Sequence, residues 1–262
     1  MEYKANEPIM LQQFAFCGTP DVFKSTIDNL SKMAEPEPWT VNSNEPNSVL
    51  TKYIYGTFQR CHSQNKFIYT SDKEYCCFNT GLLTPNGNDI LCVFMKNKRI
   101  GDDIQPWFLK FFADKTERKY MDLFSEIPPL ATYTDNYEKF YFNPNYDIVV
   151  STDHILDDNW ERISAVVPLS KNIVKSLMIG VIEETKIKIK RNIRLVVPQF
   201  YRNEIMYLLP IRIPINDDTF VTMALAVELT QSKQYRANTI FTKEMAYEKA
   251  RLLMRPESNW LL

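Results

Sequence analysis

Apolar residues recur three or four positions apart in several stretches of this chain, the spacing of one face of an α-helix. The longest such stretch is 170–192. The apolar residues expected to face the core there are Ile173, Leu177, Val181, Ile182 and Ile189. We predict helices at 21–33, 46–60, 153–163, 170–192 and 243–255.

Runs rich in β-branched and aromatic residues predict strands between these helices. The clearest pair is 74–83 and 89–96, joined through Asn86 and Gly87, a dipeptide typical of tight hairpins. Because helices interrupt the strands without strict alternation, we expect an α+β fold with a mostly antiparallel sheet and several packed helices. Further strands are predicted at 67–70, 107–112, 137–142, 195–197, 205–213, 220–228 and 235–241.

The C-terminal stretch predicts a strand–helix unit with an apolar end. Residues 235–241 favour a strand, and the Thr242 hydroxyl can cap the helix that follows it. Pro256 should end that helix, because proline disfavours helical geometry in the residue before it. The apolar residues expected to anchor the end are Trp260, Leu261 and Leu262.

Length and composition bound the domain organisation. The chain has 262 residues, of which 45% are apolar, enough for one substantial core. Residues 34–47 carry repeated Glu-Pro pairs and several asparagines, which disfavour helix and strand alike. We therefore predict an N-terminal helical extension with a Pro/Asn-rich linker at 1–45 and a single α+β domain at 46–262.

Charge and hydropathy narrow the classes of partner. Lys plus Arg number 31 against 32 for Asp plus Glu, so the net charge of −1 gives no overall attraction to nucleic acid or anionic lipid. Nucleic-acid binding would require a local patch. No apolar run approaches the roughly 20 residues that cross a bilayer, and residues 1–10 lack a signal-peptide pattern. We expect a cytoplasmic protein without a membrane partner.

Common catalytic signatures are missing from the sequence, including the phosphate loop GxxxxGK, GxGxxG, GxSxG and HExxH. The five cysteines form no CxxC pair, and two histidines are too few for a multi-histidine metal site. We expect no cofactor, keep Mg²⁺ as the alternative, and leave enzymatic activity undecided. The acidic pairs open to Mg²⁺ are Asp102 with Asp103, Asp157 with Asp158, and Asp217 with Asp218.

The segment FNTGLL at 78–83 is unusual for the end of a strand. Asn79, Thr80 and Gly81 place an amide, a hydroxyl and a bare backbone together among apolar neighbours, and such a trio can hold a ligand. The alternative is a β-bulge, in which Gly81 takes a conformation that a side chain would forbid and Asn79 satisfies the backbone.

Polar residues of the C-terminal strand and helix form a second candidate. Arg236, Asn238 and Thr239 precede Arg251 on the helix, and these polar groups could converge on one pocket if this strand ends beside FNTGLL. In the alternative, Arg251 bonds backbone carbonyls or pairs with Glu248.

A third candidate is basic and lies at the end of the long predicted helix. Phosphate could bind there, although cations in a last helical turn commonly complement the helix dipole and stay solvated. The aromatic run at 133–146 could stack unpaired bases beside such cations, or could belong to the core. The basic residues are Lys186, Lys188, Lys190, Arg191 and Arg194.

Four segments occur in this order along the chain: FNTGLL at 78–83, PWFLKFF at 106–112, VVPQFY at 196–201 and MAYEKARLL at 245–253. Taken together they resemble a domain of unknown function that occurs beside LOTUS (OST-HTH) domains, a class of modules associated with RNA binding. The resemblance covers the chain from about Tyr53 onward. It implies an association with RNA metabolism, with no established reaction or catalytic residue.

These observations lead to one hypothesis and two alternatives. The hypothesis is an RNA- or nucleotide-binding domain without chemistry of its own, which binds through Asn79, Thr80, Gly81, Arg236, Thr239 and Arg251 and through the basic helix end. The first alternative is a magnesium-dependent hydrolase of nucleotides or RNA ends, with Asp157 or Asp217 recruiting the metal. The second is a protein-interaction module, in defence or in an RNA-processing complex, that docks a protein partner through residues 1–45.

Overall fold

The chain forms two compact units, Met1–Thr132 and Tyr133–Leu262, which we call the N-terminal and C-terminal units. This division lies far from the predicted boundary at residue 45, and the separation into an extension and one domain stays a prediction. Residues 42–44 of the predicted linker and Leu262 of the predicted apolar end lie outside the described residues. The computed structural model describes residues 9–41, 45–99, 101 and 104–261.

The N-terminal unit is built on a five-stranded sheet. The strand order is β1-β5-β4-β3-β2, with β1 parallel to β5 and the other neighbours antiparallel. The strands are β1 (Ala15–Phe16), β2 (Ile68–Tyr69), β3 (Tyr75–Leu83), β4 (Asp89–Lys96) and β5 (Trp107–Asp114). The helices are α1 (Leu11–Phe14), α2 (Pro20–Met33), α3 (Ser48–Ser63) and α4 (Arg118–Met121).

Aromatic rings fill the core of this unit. Phe58 on α3 lies edge-on to Phe78 and Phe94 of the sheet, with ring centroids 5.8 and 6.2 Å away. Phe14 on α1 lies 5.2 Å from Phe58 and 5.3 Å from Phe94. The segment that we considered as a docking extension therefore supplies a ring to this core.

The FNTGLL segment forms a β-bulge in β3, where the pairing with β4 shifts between Asn79 and Leu83. The backbone of Gly81 has a φ of +73°, in the left-handed region that favours glycine. The Tyr53 hydroxyl donates a hydrogen bond to the Thr80 carbonyl over 2.8 Å. A Cβ atom at Gly81 would lie 2.7 Å from the Tyr53 hydroxyl oxygen, so both the backbone and the packing require glycine.

The C-terminal unit is built on a second five-stranded sheet, in the order β6-β10-β9-β8-β7. Its short strand β6 runs parallel to β10, and the other neighbours are antiparallel. Two 3-10 helices, Tyr137–Phe140 and Ile193–Leu195, precede β6 and β7. The strands are β6 (Ile148–Val149), β7 (Val197–Tyr201), β8 (Glu204–Pro214), β9 (Phe220–Leu229) and β10 (Tyr235–Phe241). The longer helices are α5 (Thr152–Ser164), α6 (Lys171–Arg191) and α7 (Lys243–Leu253).

Helices cover both faces of this second sheet. On one face, α6 and α5 pack against β8 and β10 around buried side chains such as Leu209, Ile211 and Leu225. Successive strand residues point to opposite faces, so Leu208 and Ala226 point the other way. Both are buried, and α7 is the helix that contacts β7, β9 and β10. This second face carries the site described below.

The α+β class, the mostly antiparallel pairing and the C-terminal strand–helix unit are confirmed, although the strands form two sheets where we expected one. The Thr242 hydroxyl caps α7 as predicted, because it accepts a hydrogen bond from the Met245 backbone nitrogen over 3.4 Å. At the chain end, Leu261 is buried and the Trp260 indole donates to the Leu195 carbonyl over 2.7 Å.

Three predictions of local structure are wrong. Residues 137–142 form no strand, because the Asn136 side chain accepts from the Glu138 backbone nitrogen and starts the first 3-10 helix. Asn192 starts the second 3-10 helix in the same way, so the strand predicted at 195–197 begins at Val197. Ile173 is 49% exposed, because the buried stripe of α6 passes through Val174 instead.

The bulge predicts a large difference between two glycine substitutions. Gly81→Ala should lower the free energy of unfolding by about 2–3 kcal/mol, because left-handed strain adds to the collision with Tyr53. Gly87→Ala is the control, since Gly87 has a similar φ of +76° but no atom within 4 Å of a Cβ. That variant should lose about 1 kcal/mol, from backbone strain alone. Urea unfolding of both variants measures the difference, and equal losses would contradict this account of Gly81.

Candidate functional site

The second face of the C-terminal sheet holds a pocket of about 390 Å³. Side chains from strands β7 to β10 form its floor and walls, and α7 contributes Lys249. We call it the Gln199 pocket. It is lined by Gln199, Tyr201, Arg202, Met206, Ala226, Glu228, Arg236, Asn238, Thr239, Phe241 and Lys249.

Strand register places these side chains together. Gln199 of β7 pairs with Met206 of β8, and Arg236 of β10 pairs with Glu228 of β9. Paired residues on neighbouring antiparallel strands point to the same face. The register of β10 shifts between Ala237 and Thr239, which inserts one extra residue beside the pocket.

Gln199 carries a buried polar atom that is not hydrogen-bonded. The residue is 2% exposed, and its side-chain oxygen Oε1 has no partner within the part of the chain that the structure describes. An unpaired buried acceptor costs about 1–3 kcal/mol, so such atoms are uncommon in folded proteins. Gln199 is also one of the residues that line the pocket.

Aromatic rings hold two cations at the pocket. The Lys249 amine lies 5.7 Å from the ring centroid of Tyr201 and 5.3 Å from that of Phe241. The Arg202 guanidinium lies 5.2 Å from the Tyr201 ring. Cations over aromatic rings are attracted by the negative ring face, so these rings orient the charges.

Arg236 is fixed by an ion pair with Glu228. Its Nε donates to the Glu228 carboxylate over 2.9 Å, and its Nη2 contacts the same oxygen. Burial alone would raise the pKa of Glu228, but hydrogen bonds from Arg236 and Asn238 and the charges of Arg236 and Arg202 hold this pKa below its ordinary value. Glu228 is therefore ionised at neutral pH and leaves Arg236 oriented along the pocket wall.

Arg202 occupies a position that suits other residues better. It forms the two-residue turn between β7 and β8 with Asn203, and the two have φ values of +50° and +64°. Turns of this type favour Asn and Gly, because the Cβ atom of most other residues is strained at positive φ. The residue in this strained position places its guanidinium at the pocket.

The pocket is suited to an anion that also carries a hydrogen-bond donor. Three cations, Arg202, Arg236 and Lys249, face one carboxylate, Glu228, which leaves an excess of two positive charges. Positive charge attracts phosphate or carboxylate groups. The buried Gln199 oxygen would repel those groups and calls for an N–H or O–H on another part of the ligand.

Of the predicted site residues, the structure brings Arg236 and Thr239 together in this pocket. The Thr239 hydroxyl donates to Asn159 Oδ1 of α5 over 2.6 Å and lies 3.4 Å from Nη1 of Arg162. Thr239 therefore helps to join α5 to β10 as well as lining the pocket. Arg251 is only 7% exposed and lies on the inner side of α7, outside the set of residues that line the pocket.

Asn79, Thr80 and Gly81 belong to the N-terminal unit, where their polar groups are used within the bulge. The Asn79 oxygen accepts from the Gly81 backbone over 2.9 Å, and its nitrogen donates to Asp89 over 3.1 Å. The Thr80 hydroxyl donates to the Ile90 carbonyl over 2.6 Å. The structure supports the bulge interpretation of this motif, and the ligand-binding role stays a prediction.

The basic residues at the end of α6 are mostly engaged locally. Lys186 pairs with Glu183 over 2.6 Å, and Lys188 pairs with Glu184. Arg191 donates to the Ile187 carbonyl over 2.9 Å, while Lys190 and Arg194 are exposed. These contacts match the solvated helix end of our alternative, and the phosphate-binding role stays a prediction.

The candidate metal ligands show no common centre in the described ranges. Asp157 pairs with Lys171 over 2.5 Å, and Asp217 and Asp218 lie in the turn between β8 and β9. Asp102 and Asp103 lie outside the described residues. Among the described residues, no group of three or more His, Cys, Asp or Glu side chains is placed to hold a metal ion.

The cysteine thiols show the effects of burial. Burial raises the pKa of the Cys17 thiol to about 11 and that of the Cys61 thiol to about 12. Both thiols are therefore protonated at neutral pH.

In the described ranges, no helix is both long and apolar enough to traverse a bilayer.

Sequence reasoning did not select Gln199, Arg202 or Lys249 as site residues. Gln199 and Lys249 each lie inside a segment that carries the family resemblance, VVPQFY and MAYEKARLL. One signal was present: a glutamine between Pro198 and Phe200 is a polar residue at an inward position of a strand. Arg202 and Lys249 resemble ordinary surface cations until the strand register is known.

Comparison with protein families found one match. A family model described as a domain of unknown function, DUF3825, matches residues 30–260. The expected membership of an uncharacterised domain family is confirmed, and the match begins earlier than Tyr53. No curated protein and no solved structure matched the chain.

The unpaired oxygen predicts that Gln199 is unfavourable for stability in the ligand-free protein. Gln199→Met keeps a similar shape and removes the unpaired acceptor, so the free energy of unfolding should rise by about 1 kcal/mol. Gln234→Met is the control, because Gln234 is exposed in the turn before β10 and should change stability little. Urea unfolding without ligand measures both. A loss of stability in Gln199→Met would show that the oxygen is already satisfied.

Proposed function

The chain belongs to the DUF3825 family, and we propose that it binds a phosphate-bearing nucleotide ligand, RNA or a nucleotide, in the Gln199 pocket. The observation that carries the proposal is the unpaired Gln199 oxygen in a pocket with an excess of positive charge. In this proposal the domain binds the ligand without transforming it.

The charges support a phosphate as the anionic part of the ligand. Lys249 and Arg202 are oriented by aromatic rings, and Arg236 by Glu228. Oriented guanidinium and ammonium groups suit phosphate, because charge-assisted hydrogen bonds to its oxygens are short and strong. Since the net charge of the whole chain is −1, this local excess is what would attract a polyanion.

The surroundings of the pocket support a ligand larger than a phosphate ion. A groove of about 1350 Å³ adjoins the pocket and shares Met206, Glu228 and Arg236 with it. We call it the tyrosine groove. The tyrosines that line it are Tyr141, Tyr146, Tyr207 and Tyr235.

The wall of the tyrosine groove is held in place by hydrogen bonds. The Tyr207 hydroxyl donates to the Lys139 carbonyl over 2.8 Å, and the Asn143 backbone donates to the Tyr235 hydroxyl over 2.7 Å. The Tyr141 ring on this segment is 65% exposed. An exposed ring on a fixed segment is suited to stacking an unpaired base, as in single-strand binding proteins. The resemblance to a domain found beside LOTUS domains favours RNA.

Loss of one pocket cation should weaken binding. We expect Lys249→Gln to reduce affinity for short single-stranded RNA about tenfold, because one charge-assisted contact is lost. The affinity of the wild-type protein should fall as salt rises, and the variant should show a smaller slope. Fluorescence anisotropy at two salt concentrations measures both quantities, and gel analysis checks that the RNA stays intact.

Lys175→Gln is the matched control, because it removes one positive charge from an exposed position on α6, outside both the pocket and the basic helix end. Its affinity should stay within about twofold of wild type, since a remote exposed charge is largely screened. Equal losses in the two variants would contradict a specific site in the pocket. Absence of any salt-dependent binding by the wild-type protein would overturn the proposed function, and altered RNA ends would replace it with an enzymatic one.

A further inference from the structure

The Gln199 pocket contains an acceptor and several cations, and a nucleotide can satisfy both through its sugar and its phosphate. We propose that the pocket reads a ribose 2′-hydroxyl next to a phosphate and thereby prefers ribonucleotides to deoxyribonucleotides. This inference rests on the proposed function and names the chemistry that the same site would select. The shared chemistry, a ribose phosphate, occurs both in an RNA strand and in a free ribonucleotide.

The Gln199 oxygen requires a hydrogen-bond donor from the ligand. A phosphodiester has no proton to donate, and a phosphomonoester has mostly lost its second proton at neutral pH. The group that reaches the Gln199 oxygen must therefore be a hydroxyl or an N–H on another part of the ligand. The 2′-hydroxyl can donate, and it is the group by which proteins distinguish RNA from DNA.

Gln199 and Tyr201 are two residues apart on β7, so their side chains point to the same face and their Cα atoms are about 6.7 Å apart. The Lys249 amine lies 5.7 Å from the Tyr201 ring centroid, and all three residues line the pocket. We place the phosphate beside this amine and the sugar toward Gln199. In an RNA strand the 2′-hydroxyl is on the carbon next to the one that bears the 3′-phosphate, so it is the sugar hydroxyl beside that phosphate.

The Tyr201 and Phe241 rings are each in contact with two cations. Lys249 contacts both rings, Arg202 contacts Tyr201, and Arg162 contacts Phe241. These rings orient cations in the pocket, whereas the exposed Tyr141 ring lies in the neighbouring groove. We therefore place the sugar and phosphate in the pocket and the base toward the tyrosine groove. Base sequence should matter little in such an arrangement.

The experiment compares matched ligands on the complete chain. RNA and DNA oligonucleotides of the same short sequence are titrated against wild-type protein, together with adenosine 3′-monophosphate and its 2′-deoxy analogue. We expect the ribo form to bind at least about fivefold more tightly than the deoxy form, the effect of one hydrogen bond to an otherwise unpaired acceptor. A preference seen with the mononucleotides identifies a free ribonucleotide as sufficient, and one seen only with oligonucleotides identifies an RNA strand. Both results support the inference.

Variants connect the preference to Gln199. In Gln199→Met the ratio of ribo to deoxy affinity should fall to about one, while the salt dependence of binding persists because the cations remain. Gln199→Leu gives a second test with a different side chain. Lys249→Gln should weaken both ligands alike and keep the ratio.

Two outcomes separate this inference from the proposed function. Salt-dependent binding of RNA and DNA with equal affinity would overturn the ribose preference and leave nucleotide binding standing. A preference that survives in both Gln199 variants would also overturn it. Failure of all four ligands to bind would overturn the proposed function together with the inference.

Discussion

The register of the antiparallel strands β7 to β10 is the constraint on which the candidate site depends. Gln199 faces the pocket because it pairs with Met206, and Arg236 reaches Glu228 because the two residues are paired across β9 and β10. A slip of one residue would turn these side chains to the face that α5 and α6 bury. The hydrophobic side chains on that face therefore fix the polar geometry of the other face.

Two residues at the pocket are unfavourable for the folding free energy of the ligand-free protein. Gln199 buries an acceptor without a partner, and Arg202 takes a positive φ that asparagine or glycine would adopt with less strain. Natural sequences generally agree with their structures at every level, and departures concentrate at functional sites. Both residues line the same cavity. A bound ligand would compensate the first directly, and the second brings a cation to the ligand.

Much of the fold could be predicted from sequence, and the failures have identifiable causes. Helix α6 and the hairpin of β3 and β4 have clear periods and turn residues, so their predicted bounds lie close to the observed ones. The 137–142 segment is rich in aromatic residues, which favour strands. It begins with a 3-10 helix instead, because the Asn136 side chain caps that helix. The split into two units could not be anticipated, because no composition change marks the chain near Thr132.

The site was harder to predict than the fold, because it depends on contacts between strands far apart in sequence. Arg236 and Thr239 both line this pocket, but Arg251 is not among its lining residues. The basic end of α6 was selected because its charges are adjacent in sequence. Lys249 and Arg202 come together only through the packing of α7 on β7, over the ring of Tyr201. The pairing register of strands β7 to β10 is needed to place these residues in one pocket, and it cannot be read from the sequence pattern.

The most direct test of the central claim observes the side-chain amide of Gln199 by NMR while a short ribo-oligonucleotide is added. Assignment follows from comparison with the spectrum of Gln199→Met. We expect this amide signal to shift and saturate together with the signals of Lys249 and Arg236. Shifts confined to other parts of the chain, with the Gln199 signal unchanged at saturation, would contradict the proposed site.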